Sequence, residues 1–515
     1  MKKHFSYLLL YSLVHSMPII IKGAQAPDFS TVYGQNAVQI ADLKPEIVWN
    51  YFNTIAQIPR ISGQEQEIAN YVMGIAAQHG LEAVQDSVGN VVVSKPASSA
   101  VYADRPGVVI QCHIDMVTEK NDGVSHNFAT DPIRFVRKEN MLYADGTTLG
   151  ADNGVGVAIC LAIIAAKDLV HGPLEFLFTV QEETTFAGAN AINEQSFNGR
   201  MLINVDAEVV DDVYIGSAGS YDVVGTLQVT RQVIPTTTCY KLTIDGLKGG
   251  HSGVGIHETD RLNALKITAE LLASLPSGSF NIVSLRGGKA RNAIPRFMEV
   301  VLAADISTLE SAIEQLKATY TAVEPGLTIT LQPVESTQGA LSAQDQERIL
   351  QLLQTIPHGV RTWSEAVDYP LVETSTNLAN IKTEGDSVII ETMQRSLVVD
   401  GLEQIRDDVQ QVFATFGAQT TIKKGSPTWQ PNPDSRVLRY ARERYKRLRG
   451  TEVNVKAIHA GLECGAFNVP GLDAISSGPT IIDPHSPSEH IDVTTVHPYY
   501  AWLVGTLEDI AQGND

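Results

Sequence analysis

Residues 174–183, LEFLFTVQEE, form an apolar run that ends in two adjacent glutamates. An apolar run of this length is typical of a strand that is buried on both faces, as in a parallel sheet covered by helices. Two adjacent carboxylates at the end of such a strand repel each other and resist desolvation. Glu182 and Glu183 therefore mark a candidate functional site at this edge of the sheet.

Helix and strand patterns alternate along the chain on both sides of this run. Two helical patterns precede residue 80, two strand patterns lie within 89–117, and an apolar helix follows at 152–168. This order predicts an α/β fold with a mostly parallel, helix-covered sheet. The second helical pattern begins at Ser62, and Glu65 three residues later predicts a capping box.

The order of elements changes at residue 217. From there, strand-strand-helix-strand patterns predict an antiparallel sheet with helices on one face, and a similar series over 327–417 indicates that this unit is doubled. Three prolines in the stretch from Gly425 to Ser435 mark a connection. We therefore expect a first domain built from 43–216 and 425–515, with an inserted α+β domain at 217–424.

Composition excludes some classes of function. The formal net charge of −20 argues against a nucleic-acid partner, which requires basic patches. The four cysteines are far apart and form no CxxC pair, so neither a disulfide scaffold nor a thiolate zinc site is expected. We interpret them as buried free thiols: Cys112, Cys160, Cys239 and Cys464.

The N-terminus resembles a secretory signal peptide over residues 1–26. Lys2 and Lys3 precede an apolar segment, and Ala24-Gln25-Ala26 is a small-residue cleavage pattern. This interpretation predicts a periplasmic or secreted protein. The alternative is a cytoplasmic protein whose N-terminal extension is not a signal peptide. No later segment has the ~20 apolar residues of a membrane span, so no stable membrane insertion is expected after cleavage.

Histidines and carboxylates follow several of the predicted strands. His113 and Asp115 lie two residues apart on one strand and so point to the same face. Asp152 precedes a helix, Asp206 closes a strand, and His485 lies in a proline-rich loop near two other histidines, His490 and His497. Each has an ordinary interpretation by itself: a polar pair, a helix cap, a turn residue and a solvated histidine.

Taken together, these residues favour a metal site. Ligand sites in parallel sheets lie at the carboxyl ends of the strands, where these side chains would meet. Imidazole nitrogen and carboxylate oxygen are ligands that zinc accepts. Two cations about 3.5–4 Å apart could share a water and lower its pKa. A glutamate that is not a ligand could then take the water's proton and pass it to a leaving amine.

Seven segments resemble the aminoacyl-histidine dipeptidases, also called Xaa-His or β-alanyl-histidine dipeptidases, of the two-zinc glutamate carboxypeptidase and aminoacylase superfamily. The resemblance extends from about Leu43 to Gln512. The segments, in chain order, are HIDMV (113–117), TTLGADNGVGVA (147–158), QEETTFAGA (181–189), GLKGGHSG (246–253), RNAIPR (291–296), HAGLECG (459–465) and GPTIIDPHSPSEH (478–490).

The resemblance implies two zinc ions. His113 and Asp206 would bind one ion, Glu183 and His485 would bind the other, and Asp152 would bridge them. It further implies that Glu182 is the general base, that Asp115 polarises His113, and that the Asp152-Asn153 peptide bond is cis. Asp483 and Pro484 depart from the small or polar residues usual before the ligand histidine, and this departure could alter the substrate pocket.

The inserted domain would be the lid of this family. By resemblance, His251 would reach the scissile carbonyl, and Asn292 and Arg296 would hold the C-terminal carboxylate of the substrate. His459 and Glu463 would line the pocket, with no role that the sequence defines. A doubled lid could supply within one chain a contact that smaller relatives obtain from a partner subunit, so both a monomer and a homodimer are compatible with the sequence.

The expected activity is zinc-dependent hydrolysis of a dipeptide, of the Xaa-His type, by metal-bound hydroxide with a glutamate general base. One alternative is an aminoacylase-type amide hydrolase that uses the same two-metal site. Another is a peptide-binding protein that has kept the fold but not catalysis.

Overall fold

The computed structural model describes residues 29–233, 238–335 and 339–513. The predicted signal peptide at 1–26 therefore lies outside the described residues. Among the described helices, none has the length and apolar character that are needed to cross a bilayer.

The first part of the chain alternates helices with strands, and a 3-10 turn lies at Ala100–Tyr102. Its elements are α1 Phe29–Ile40, α2 Glu46–Ile55, α3 Gln66–Gln78, β1 Glu82–Gln85, β2 Val91–Lys95, β3 Val108–His113, β4 Phe135–Lys138, β5 Met141–Ala144, α4 Ala151–Ala165, β6 Leu174–Thr179, α5 Ala187–Ala191, β7 Met201–Asn204 and β8 Asp212–Ser217.

The middle part is richer in strands. Its elements are β9 Gly219–Gln228, β10 Arg231–Gln232, β11 Cys239–Asp245, β12 Gly250–His251, α6 Ala264–Ala273, β13 Phe280–Gly287, β14 Ala293–Ile294, β15 Met298–Ala304, α7 Ile306–Tyr320, β16 Thr328–Val334, β17 Ala340–Leu341, α8 Ala343–Thr355, β18 Gly359–Trp363, β19 Val372–Glu384, β20 Ser387–Ser396, α9 Val399–Thr415 and β21 Gln419–Lys424.

The last part returns to the first, with a 3-10 turn at Glu463–Gly465. Its elements are α10 Arg436–Arg449, β22 Asn454–Ile458, β23 Asp473–Ser476, β24 Ile481–Ile482, β25 His490–Asp492 and α11 Val493–Gln512. Strands β22 and β23 join the sheet of the first part, and β24 and β25 extend the β4-β5 hairpin into a four-stranded sheet.

The eight-stranded sheet has the order β1-β2-β6-β3-β7-β23-β8-β22, and its centre, β6-β3-β7-β23, is parallel. All of β6 is buried, as the opening run of the sequence predicts. Phe176 and Phe178 pack into the core that includes α2, α3, α4, α10 and α11, whereas Leu177 faces a smaller core that includes Phe197 and Phe467. Burying such side chains contributes roughly 1.5–3 kcal/mol each. The mixed α/β fold with a helix-covered sheet is confirmed.

The nine-stranded antiparallel sheet confirms that the insert is doubled. The unit β11-α6-β13-β15-α7-β16 has the strand order β16-β11-β15-β13, and the unit β9-α8-β19-β20-α9-β21 has the matching order β21-β9-β20-β19. The two units join where Arg286 and Gly287 of β13 pair with Lys382 and Ile381 of β19. The predicted start of the second unit, near residue 327, is wrong because its first strand, β9, precedes the whole first unit.

The predicted capping box at α3 is also wrong. The helix begins at Gln66, and its start has no side-chain cap. The Ser62 hydroxyl instead donates to Asp115 Oδ2 at 2.7 Å, and Glu65 Oε1 accepts from the backbone N–H groups of Gly63 and Gln181 at 2.9 and 3.0 Å. Both side chains therefore hold the loops beside the candidate site rather than the helix end.

All four cysteines are free and buried, as the sequence predicts. Two of them face each other across the sheet–helix interface, with 3.7 Å between the Sγ atoms of Cys112 on β3 and Cys160 on α4. Burial raises the pKa of Cys112 well above its usual range, so the thiol form is favoured. These residues therefore act as small apolar side chains in the core.

Candidate metal centre

The predicted ligands meet at one edge of the eight-stranded sheet. His113 ends β3, Glu183 follows β6, and Asp206 follows β7, so parallel packing of these strands brings their carboxyl ends together. Asp152 lies in the first turn of α4, and His485 lies in the loop between β24 and β25. The structure thus brings together all five residues that the sequence nominates as ligands.

Two groups of ligand atoms share Asp152. One group contains His113, Asp152 and Asp206, the other contains Asp152, Glu183 and His485, and the ligand atoms of each group lie within 4.8 Å of one another. The two oxygens of Asp152 are divided between the groups, because Oδ1 lies 3.0 Å from His113 Nε2 and Oδ2 lies 3.2 Å from His485 Nε2. This is the arrangement that a carboxylate bridging two cations requires.

The remaining contacts within each group are equally short. Asp206 Oδ1 lies 3.4 Å from His113 Nε2, and Glu183 Oε2 lies 3.0 Å from His485 Nε2. Glu183 Oε1 is buried and has no hydrogen-bond partner among the described residues, so this acceptor is left over for a ligand. Imidazole and carboxylate donors of this kind fit zinc. The Asp152-Asn153 peptide bond is cis, as expected.

The two competing histidines lie elsewhere. His490 stacks on Tyr143 at 4.4 Å between ring centroids, and its Nδ1 contacts Ser488 O at 2.8 Å. His497 is exposed on α11. Of the three late histidines, His485 alone joins a group of possible metal ligands within the described part of the chain.

Asp115 connects His113 to the glutamate pair. Its Oδ1 lies 3.2 Å from His113 Nδ1 and accepts from the backbone N–H of Glu182 at 3.1 Å, while Oδ2 accepts from that of Glu183 at 3.2 Å. Burial alone would raise the pKa of Asp115, but the hydrogen bond and charge of His113 outweigh it and lower that pKa. A charged Asp115 fixes the His113 ring with Nε2 directed at the cluster.

Glu182 is half-buried beside the same cluster. Burial, together with repulsion from Glu183, Asp206 and Glu463, raises its pKa well above the usual range, against the opposing charge of His113. A third group of possible ligands contains His113, Glu182 and Glu183. The adjacent glutamates differ, however, because Glu183 alone also contacts His485 and belongs to the Asp152 group.

His251 lies on β12 in the middle part of the chain and is half-buried. The Nδ1 atom of His251 accepts from the backbone N–H groups of Gly253 and Val254 at 3.2 and 3.3 Å. Burial, with the charges of Arg395 and His485, lowers the pKa of His251 to about 4. The ring is therefore neutral near pH 7, and because its Nδ1 accepts from the backbone, Nε2 is the atom that can carry the ring proton and donate it to a substrate oxygen.

Sequence reasoning missed Arg395, whose guanidinium lies beside His251. Arg395 is buried on β20, its Nη2 lies 3.5 Å from His251 Nε2, and its Nε has no hydrogen-bond partner among the described residues. Burial, and then the charge of Arg291, lowers its pKa to about 10, so it remains cationic at neutral pH. Its strand, SVIIETMQRS, also contains Glu391, Thr392 and Gln394, so no local pattern distinguishes this arginine as buried.

The other predicted substrate residues lie in different surroundings. His459 is buried, its Nε2 lies 2.7 Å from Ser375 Oγ on β19, and burial lowers its pKa to about 3. Glu463 is buried beneath the strand ends, where Gln111 Nε2 and Thr179 Oγ1 donate to it at 2.6 and 2.8 Å. Asn292 and Arg296 lie on either side of β14, before β15, and their role stays a prediction.

Residues 109–509 match the model of peptidase family M20/M25/M40. The chain belongs to this family. This M20 peptidase is 37% identical over 483 residues to the cytosol non-specific dipeptidase of Escherichia coli K12, and the match covers 92% of this chain and 99% of the relative.

Solved structures agree with this assignment. The crystal structure of aminoacylhistidine dipeptidase from Vibrio alginolyticus is 37% identical, with a TM-score of 0.80, and the match covers 91% of this M20 chain and 97% of that one. The aminopeptidase PepT from Bacillus cereus is 16% identical with a TM-score of 0.54, over 91% of this chain and 99% of that one, and so shares the fold. The protein is thus a metallopeptidase, and its similarity to an aminoacylhistidine dipeptidase confirms the resemblance that the sequence motifs predict.

Proposed function

We propose that this M20 metallopeptidase hydrolyses dipeptides at a centre that binds two divalent cations, with Zn²⁺ as the expected metal. The observation that carries the proposal is the division of the Asp152 oxygens between His113 and His485. Both relatives with 37% identity are named as dipeptidases, which supports this class of substrate. One is named non-specific and the other aminoacylhistidine dipeptidase, so we infer that Xaa-His dipeptides are among the substrates.

Each residue of the centre has a distinct task in the proposed reaction. When bound, the two cations supply Lewis acidity that polarises the scissile carbonyl and lowers the pKa of the attacking water. Glu182 accepts the proton of that water and then donates it to the leaving amine, while Glu183 serves as a ligand. The contact between Glu183 and His485 supports this division of roles. Asp115 holds His113 in orientation through the Nδ1 contact.

The inserted domain, 217–424, acts as a lid in this proposal, closing over a catalytic domain formed by 43–216 and 425–515. Tyr369 OH accepts from the backbone N–H of Ala457 at 2.6 Å, and Ser375 Oγ lies 2.7 Å from His459 Nε2, so side chains of the insert contact the late segment directly. From the lid, neutral His251 donates its Nε2 proton to the oxygen that becomes negative during attack. A donor of this kind is typically worth about 3 kcal/mol.

Arg395 is proposed to bind the C-terminal carboxylate of the dipeptide, with Asn292 and Arg296 as further candidates. Replacing Arg395 with methionine is expected to remove a charged hydrogen bond worth ~1.5–3 kcal/mol, or roughly 10–150-fold in KM. Steady-state kinetics with Gly-His and with its C-terminal amide measure the effect. The substitution should raise the KM of the amide much less, because the amide lacks the negative charge that Arg395 would bind. Arg286→Met on the exposed side of β13 is the control, and an unchanged KM for Arg395→Met contradicts this role.

Substrate profiling separates the dipeptidase from an aminoacylase. We expect the metal-loaded protein to cleave a panel of dipeptides, including Xaa-His, and to lose this activity when a chelator is added. Efficient cleavage of N-acyl amino acids without cleavage of dipeptides would favour the aminoacylase alternative. Tight binding of dipeptides without turnover would favour the peptide-binding alternative.

Whether residues 1–26 are cleaved decides between an exported and a cytoplasmic protein. The name of the Escherichia coli relative supports the cytoplasmic alternative, and nothing in the comparisons supports export. Mass spectrometry of the protein from its native cell is expected to show residues 1–26 retained. A chain that begins at residue 27 would instead restore the signal-peptide prediction. Sedimentation of the same sample distinguishes a monomer from a homodimer, both of which are compatible with a doubled lid.

A further inference from the structure

The turn at the start of α4, residues 149–152, is held by a buried carboxylate from the far end of the chain. Glu489 Oε2 accepts from the backbone N–H groups of Leu149 and Gly150 at 2.8 and 2.9 Å, and its Oε1 accepts from that of Asp152 at 3.1 Å. Glu489 is 2% exposed. Both of its oxygens are thus occupied by the backbone that carries the shared aspartate.

A buried guanidinium holds the same turn from the other side. Arg60 is 3% exposed, its Nη2 donates to the carbonyl of Gly150, and its Nη1 donates to the carbonyl of Asp115 at 2.6 Å. Gly150 is therefore fixed at its N–H by Glu489 and at its carbonyl by Arg60. Its φ of 67° and the closeness of the Arg60 and Met116 side chains to any added Cβ favour glycine at this position.

These two charges are costly to bury, and within the described part of the chain neither belongs to a group of possible metal ligands. Their hydrogen bonds converge on the backbone that carries Asp152, and Arg60 adds a bond to the backbone of Asp115 behind His113. We propose that Glu489 and Arg60 are positioning residues that fix the backbone of Asp152 so that its two oxygens face the two cation sites. This inference rests on the proposed function.

Positioning of the shared ligand has a specific signature in cation binding. Groups that orient a ligand typically contribute roughly 10–100-fold to metal affinity. Glu489→Gln keeps the side-chain volume but turns an amide donor toward a backbone N–H. Because Asp152 serves both sites, the variant is expected to lose affinity for both cations together, by about 10–100-fold. Asp206→Asn, which removes a ligand from one group only, should weaken one site and spare the other.

The experiment is a zinc titration of the full chain against a chromophoric chelator, with the visible spectrum of the cobalt-loaded protein as a second readout. Glu175→Gln is the matched control, because Glu175 is a buried carboxylate that accepts from the backbone of Asn198 and Gly199 away from the site. The control should lower the melting temperature without changing cation affinity. Arg60→Lys, which keeps the charge but not the forked geometry, should weaken both sites as Glu489→Gln does, and it replaces that variant if the latter does not fold.

Coupled loss at both sites supports the inference. Wild-type affinity in Glu489→Gln and Arg60→Lys, or loss at one site only, overturns it. A wild-type chain that binds fewer than two cations instead overturns the proposed function, and the positioning role falls with it.

Discussion

Glu182→Gln is expected to lower kcat for dipeptide hydrolysis by about 10²–10⁴-fold, the usual contribution of a general base. Glutamine occupies the same volume but cannot accept the proton of the attacking water or return it to the leaving amine. Because we assign Glu182 to the proton and Glu183 to the cation, the variant should bind two cations as tightly as the wild type. Steady-state kinetics and a zinc titration on the same preparation measure both effects.

The adjacent glutamate is the natural comparison for this variant. Glu183→Gln removes a ligand of the second group and should lower cation affinity as well as kcat. If Glu182→Gln loses a cation and Glu183→Gln keeps both, the two roles are reversed. If Glu182→Gln is as active as the wild type, the general-base assignment is wrong.

Asp152→Asn is expected to have the largest effect on cation binding. The asparagine side chain would retain one acceptor oxygen but lose the negative charge that two cations share. The loss of affinity should appear at both sites and exceed the roughly 10–100-fold that is typical of a group acting through a ligand. The rate of hydrolysis should fall together with the cation affinity, and only a large excess of zinc should restore any activity. Calorimetric titration measures the number of cations bound and their affinity.

A selective effect would contradict the shared role of Asp152. If Asp152→Asn still binds one cation with wild-type affinity, Asp152 is a ligand of one site only and does not bridge two cations. Circular dichroism in the far ultraviolet checks that the helices of the variant, α4 beside Asp152 among them, are intact.

The sequence predicts the sheet edge of the site because strand patterns are local. The apolar run before Glu182 and Glu183 is one buried strand, and His113 and Asp206 lie at the ends of the next two strands of the sheet. Parallel pairing then brings these side chains together without further information. The family resemblance singles out His485, because no local pattern distinguishes it from His490 or His497.

The residues that sequence reasoning missed act through long-range contacts. Arg60 and Glu489 lie near opposite ends of the chain, yet both bind Gly150. The sequence around neither residue indicates that its side chain binds the backbone of Gly150. The local pattern at Ser62 predicts a helix cap, whereas its hydroxyl bonds to Asp115. Arg395 lies in a strand of mixed polar and apolar residues, and only the packing of β20 near His251 shows where its charge lies.

The nested order of the lid has the same explanation. A repeated strand-helix pattern shows that two similar units exist, but it does not show which strands pair. Strand β9 belongs to the second unit because it pairs with β20 and β21, although all of the first unit follows it in the chain. Pairing between β13 and β19 then unites both units in one sheet.

The most direct test of the two-cation dipeptidase is to measure bound zinc and dipeptide hydrolysis in one titration of the chelator-treated protein. We expect no hydrolysis before zinc is added, and full activity when two zinc ions are bound per chain. Saturation at one ion per chain, or cleavage of dipeptides by protein that remains metal-free, would contradict it.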